Sequence, residues 1–118
     1  MKIAIFQANT KDNRIEENLA RYRKLLADLD KDTDLLVLPE MFSGGFTMDE
    51  EYAETMDDSA GLDFMKELAA EKHIAVSGGL FIKENGKFYN RHFFVTENSV
   101  QHYDKAHLFC LSKEPKVI

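Results

Sequence analysis

The unbroken apolar run Leu35-Leu36-Val37-Leu38, stopped by Pro39, restricts the fold of this chain more than any other feature. A strand with one buried face alternates between apolar and polar side chains, whereas one that is apolar at every position needs cover on both faces, as in a parallel sheet flanked by other layers. Proline has no N–H to give to a ladder, so the strand ends there. Upstream, Lys2 to Ala8 is again apolar on both alternating faces, with Ile3 and Ile5 on one and Ala4 and Phe6 on the other, and reads as a central strand. Between the two runs, Ile15, Leu19, Tyr22, Leu25, Leu26 and Leu29 recur at helical spacing. Asn13 followed by Glu16 resembles a capping box, so a helix from about residue 13 to about residue 30 is expected. Strand, helix and strand in this order imply a right-handed crossover and two parallel strands.

The pattern then changes. After the loop Ser43-Gly44-Gly45-Phe46, Ser59 can cap a helix whose apolar face is Leu62, Met65, Leu68 and Ala69, and Ile74-Ala75-Val76 begins a third strand. Leu80-Phe81-Ile82, the pair Asn85-Gly86 and Phe88 to Val95 form a hairpin signal, because Asn-Gly accepts the positive backbone angles of a tight turn. Val100 to Lys105 supplies another strand. The sheet is therefore mixed. These strands claim more burial than two helices supply, which makes the chain read as one part of a larger layered fold.

Composition narrows the function. Of 118 residues, 44% are hydrophobic and 31% charged, which fits a globular domain, and the net charge of -6 comes without a basic patch interleaved with aromatics, arguing against a nucleic-acid partner. No apolar stretch approaches the roughly 20 residues of a membrane span, and no cleavable leader follows Met1, so a cytoplasmic location is expected. The single cysteine, Cys110, has no partner for an internal disulfide or a CxxC metal site. His73, His92, His102 and His107 lack metal-ligand spacing, and Ser43-Gly44-Gly45 is not followed by a phosphate-loop signature. Neither a metal nor a cofactor is expected.

Two polar residues stand where chemistry gathers. Glu40 follows a buried strand at its carboxyl end, where open α/β sheets place their ligands. Lys105 leaves the end of another strand, and an ammonium beside a carboxylate in a partly dry cleft can stabilise a developing oxyanion.

Leu38-Pro39-Glu40-Met41-Phe42 with Gly45-Phe46-Thr47-Met48 resembles the motif that carries the first catalytic glutamate of the nitrilase superfamily of carbon-nitrogen hydrolases. Tyr103-Asp104-Lys105-Ala106-His107-Leu108-Phe109 resembles its lysine motif, and Gly79-Leu80 through Tyr89-Asn90-Arg91 resembles the stretch that links them. The Phe-Thr-Met wording is similar to the omega-amidase branch. The resemblance implies the N-terminal half of an α-β-β-α sandwich, a mixed sheet with helices on one face, so that residues 1–118 form a partial domain. It implies Glu40 as general base, Lys105 as oxyanion stabiliser and Glu114 as a further glutamate that orients substrate and lysine. It also implies a small-molecule amide substrate, no cofactor and homo-oligomerisation. The family's nucleophile is a cysteine on a strand well downstream of the lysine motif. Cys110, five residues after Lys105, stands where relatives of this branch often carry a basic residue and does not match that nucleophile. The alternative expectation is a catalytically inactive fragment that associates with partner chains. A flavodoxin-like or receiver-like module shares the opening order but needs glycine-rich or clustered-acid signals that are missing here.

Overall fold

The computed structural model describes residues 1–118. A five-stranded sheet runs in the order β1 (Ile3–Ile5), β2 (Leu35–Val37), β3 (Ala75–Glu84), β4 (Lys87–Val95) and β5 (Val100–Asp104). The first three strands are parallel, and β3-β4 and β4-β5 are antiparallel. The segments read as a third strand and as the first arm of the hairpin are one ten-residue strand, β3. It pairs with β2 through Ala75 to Ser77 and with β4 along its length, so it joins the parallel and antiparallel parts.

Helices α1 (Ile15–Leu26) and α2 (Ala60–Lys72) cover one face of this sheet. Leu19, Tyr22 and Leu26 of α1 and Leu62, Phe64, Met65 and Leu68 of α2 pack with Leu36, Val76, Leu80, Ile82, Phe93 and Val95 of the strands. Each such side chain, taken fully out of water, contributes about 2 kcal/mol, which is why the apolar spacing alone could locate these helices. Ser59 caps α2 by accepting a hydrogen bond from Leu62 N–H at 2.9 Å. The capping box expected for α1 does not form. Asn13 adopts φ +58° and bonds Asp49 and Thr47 with its side chain, α1 begins at Ile15 with no side-chain cap, and it ends at Leu26.

The opposite face is covered at one end only. There a short turn of helix, α3 (Glu114–Val117), brings Val117 and Ile118 against Met41, Met48 and Phe81. At the other end β1 is an edge strand, not a central one, with Ile3 53% and Ile5 74% exposed. No helix is long and apolar enough to cross a membrane.

Candidate active site

The segment after β2 carries Glu40 and is fastened along β3. Leu38 N–H donates to Ser77 O at 2.7 Å, and Phe42 N–H to Gly79 O at 3.1 Å. Gly78 makes this approach possible, since a Cβ there would stand 3.0 Å from Leu38 Cβ and 3.2 Å from the Phe42 ring. From α1, Tyr22 donates its hydroxyl to Phe42 O at 2.9 Å and Asn18 its amide to Ser43 O at 2.8 Å. The buried Glu54 accepts from Ser43 Oγ at 2.5 Å, from Ser59 Oγ at 2.9 Å and from Gly61 N–H at 2.7 Å. Held so, Met41 adopts φ +48°, a left-handed conformation that non-glycine residues adopt only when their surroundings impose it.

Lys105 arrives from β5. Its N–H donates to Asn90 O at 2.9 Å, adding one rung to the β4-β5 ladder, and the two-residue alternation sets its side chain on the face opposite the helices, along with that of Asn90. Lys105 Nζ lies 3.1 Å from Glu40 Oε2 and 3.0 Å from Glu114 Oε1. Asn90 Nδ2 donates to the same two carboxylates, to Glu40 Oε2 at 2.9 Å and to Glu114 Oε2 at 2.8 Å. Both donors thus fall on one oxygen of Glu40, and Oε1 of that residue accepts no hydrogen bond from the protein. Glu114 is fully buried and also accepts from Phe109 N–H at 2.6 Å.

The electrostatics follow from these contacts. Burial works to lower the Lys105 pKa, but its hydrogen bonds to Glu114 and Glu40 outweigh that and leave it above the ordinary lysine value. Burial works in turn to raise the Glu114 pKa, and hydrogen bonds from Asn90, Phe109 N–H and Lys105 bring it below the usual carboxylate value. The ammonium therefore stays charged at neutral pH, with its position set by two anions.

Two recesses meet at this cluster. One of ≈ 630 Å³ is lined by Glu40, Phe46, Lys105, His107, Leu108 and Phe109, and Lys105 Nζ sits 5.6 Å from the centre of the Phe46 ring. The other, of ≈ 320 Å³, is lined by Glu40, Gly79, Asn90, His92, Tyr103 and Lys105. A carboxylate with a free oxygen beside a fixed ammonium, open to a cleft, can move a proton and stabilise a negative oxygen. A third recess of ≈ 500 Å³ between α1 and residues 51–60 holds Glu16, Glu17, Glu51 and Asp58, where Glu17 meets the exposed Arg14 and Lys11 in surface ion pairs and no buried carboxylate fixes either cation. No three His, Cys, Asp or Glu side chains gather as metal ligands.

Glu40, Lys105 and Glu114, separated by up to 74 positions in the chain, thus meet in one cluster. Cys110 does not join them. Its side chain is exposed, and its thiol points to Leu108 O at 3.6 Å. Sequence reasoning passed over Asn90 and Glu54 as site residues. The signal for Asn90 was an amide in a strand whose other residues include Phe88, Tyr89, Phe93 and Phe94. Glu54 sits in a polar loop without any comparable mark.

Known proteins share both the sequence and the shape. The family model described as Carbon-nitrogen hydrolase matches residues 2–118. An (R)-stereoselective amidase from a Pseudomonas species is 31% identical over 112 residues, 92% of this chain and 41% of its own length. Omega-amidase YafV of Escherichia coli K12 is 30% identical over 82 residues, 69% of this chain and 32% of its own. Among solved structures, XC1258 of Xanthomonas campestris, a CN-hydrolase superfamily protein, superposes with a TM-score of 0.89 at 30% identity, covering 98% of this chain and 44% of that one. The chain spans from about a third to under a half of the length of these relatives.

Proposed function

The chain belongs to the carbon-nitrogen hydrolase family, and from that premise we propose that Glu40 and Lys105 are the proton-handling and oxyanion-stabilising parts of an amide-hydrolysing centre whose nucleophile is a cysteine thiol from outside these residues. One observation carries the reading: Lys105 Nζ, 3.1 Å from Glu40, leaves the second oxygen of that carboxylate free. Glu40 Oε1 takes the proton of the thiol, and the thiolate attacks the amide carbon. The carbonyl oxygen becomes negative and is met by the Lys105 ammonium, whose place Glu114 maintains. Collapse of the tetrahedral intermediate breaks the C–N bond, and the departing nitrogen receives the proton held by Glu40 and leaves as ammonia. Water then enters, gives a proton to Glu40, attacks the thioester and releases the acid and the thiol. No cofactor takes part.

The substrate class that fits the wording Phe46-Thr47-Met48 and the name of the relative YafV is the omega-amide of a 2-oxo acid. In the same proposal the working protein is a homo-oligomer in which residues 1–118, which cover 41% of the Pseudomonas amidase and 32% of YafV, are a partial domain. A second reading has its own observation: Ile3, Ile5 and Tyr103, the last 65% exposed, leave much of one sheet face bare, so the 118 residues by themselves are an inactive chain that associates with partners.

Ammonia release from 2-oxoglutaramate and 2-oxosuccinamate by the intact gene product tests the first reading. Glu40→Gln keeps the shape and removes the base, and the rate is expected to fall by about three orders of magnitude or more. Activity that survives in this variant rules out the assigned role. The isolated 118-residue chain is the control for the second reading, and turnover by it that a thiol blocker abolishes would return Cys110 to the centre.

A further inference from the structure

Asn90 is only 4% exposed, and it stands on the sheet face that carries the site. Its Nδ2 has two hydrogens and faces two carboxylates, Glu40 at 2.9 Å and Glu114 at 2.8 Å. Lys105 Nζ touches the same two groups, so the four side chains close a ring of hydrogen bonds. Two anions lie in that ring with a single cation. Carboxylates crowded so closely tend to hold one proton between them, and a carboxyl that already carries a proton cannot accept another from a nucleophile. A neutral donor to both anions removes that tendency without adding a second cation that would compete with Lys105.

Other side chains of similar size cannot do the same. Aspartate has the shape but only accepts when ionised, and leucine fills the volume but donates nothing. We propose that Asn90 is a positioning residue of this centre: its two amide hydrogens tie Glu40 to Glu114 and hold Glu40 by Oε2, so that Oε1 is the oxygen left for proton transfer. The inference rests on the reading of Glu40 as the base. It adds the residue that fixes this base in place.

The test uses NMR of the intact gene product, labelled at its asparagine and glutamate side chains, and does not depend on turnover. In the native protein the Asn90 Nδ2 protons are expected to exchange slowly with solvent, and to shift as the Glu114 carboxyl carbon titrates in acid. In Asn90→Leu and Asn90→Asp, which lose the amide bond that helps hold the Glu114 pKa down, the Glu114 carboxyl is expected to titrate higher. Asn90 Nδ2 protons that exchange with solvent as fast as those of an exposed asparagine would overturn the proposal even if neither variant folded. Unchanged carboxyl titrations in both folded variants would overturn it equally. If Glu40 is not the base, these spectra still come out as expected and only the Glu40→Gln assay fails, so the two failures are told apart.

Discussion

Two glutamates are hidden in this chain, Glu54 at 7% exposure and Glu114 at 0%, and they are satisfied in opposite ways. Glu54 has neutral donors alone: two serine hydroxyls and the N–H of Gly61 in the first turn of α2. A helix N-terminus favours an acid, and no cation is called upon. Its backbone also pairs with β3 through Phe81 O and Lys83 N–H. Glu54 thereby binds the loop after Glu40, the start of α2 and the sheet into one piece. Glu114 has the Phe109 N–H and the Asn90 amide, but also a lysine that it shares with the half-exposed Glu40. One burial holds structure together, and the other sets the position and charge of a group that faces a cleft. Burial of a carboxylate by itself therefore says little about function; the kind of donor that compensates it says more.

The comparison can be broken at its ends. The largest effect is expected for Glu54→Leu, which leaves two hydroxyls and an N–H without their acceptor. Urea denaturation should show a loss of about 3 kcal/mol with an unchanged slope. A loss below about 1 kcal/mol would mean that Glu54 does not fasten the loop.

Lys105→Met comes next. It strands the Glu114 carboxylate without its cation, but two neutral donors remain and Lys105 is itself 30% exposed, so a cost of about 2 kcal/mol at neutral pH is expected. This loss should shrink in acid, where Glu114 can take up a proton. A loss independent of pH would mean that packing of the lysine stem, and not charge, holds the cluster.

The smallest effect concerns the slope of stability against pH. Glu114 has a folded pKa below its unfolded one, so its contribution is full above the unfolded value of about 4.3 and disappears as the pH falls through the folded value. Glu114→Gln should flatten the acid limb in that window and leave the slope around neutral pH unaltered. Lys105 acts in the opposite direction: its raised pKa contributes fully below about 10.4 and is lost as the pH rises through the folded value. An acid limb that keeps its slope in Glu114→Gln would assign the effect to other carboxylates.

Much of the architecture was legible along the chain. Leu62, Met65 and Leu68 and their capping residue Ser59 announced α2, and Asn85-Gly86 announced the β3-β4 turn, because helical spacing, caps and tight turns depend on residues within a few positions of each other. The same local rules failed at Asn13, whose apparent capping partner lost to contacts with Thr47 and Asp49, far away in sequence. The motifs around Glu40 and Lys105 were legible too, through the ends of the strands that carry them.

Strand order was decided elsewhere. Lys2 to Ala8 is apolar on both faces and so asks for cover, but nothing in that pattern states which strands flank it, and β1 came to lie at the edge with Ile3 and Ile5 exposed. The ring that joins Glu40, Asn90, Lys105 and Glu114 was equally beyond the local pattern. The sequence by itself determined the elements, their turns and the residue types at the strand ends, since each is set by covalent neighbours. Only the tertiary structure decided that a buried amide would touch two carboxylates 74 positions apart, because hydrogen bonds of that kind exist only once β3, β4 and β5 have paired and the chain after Lys105 has folded back.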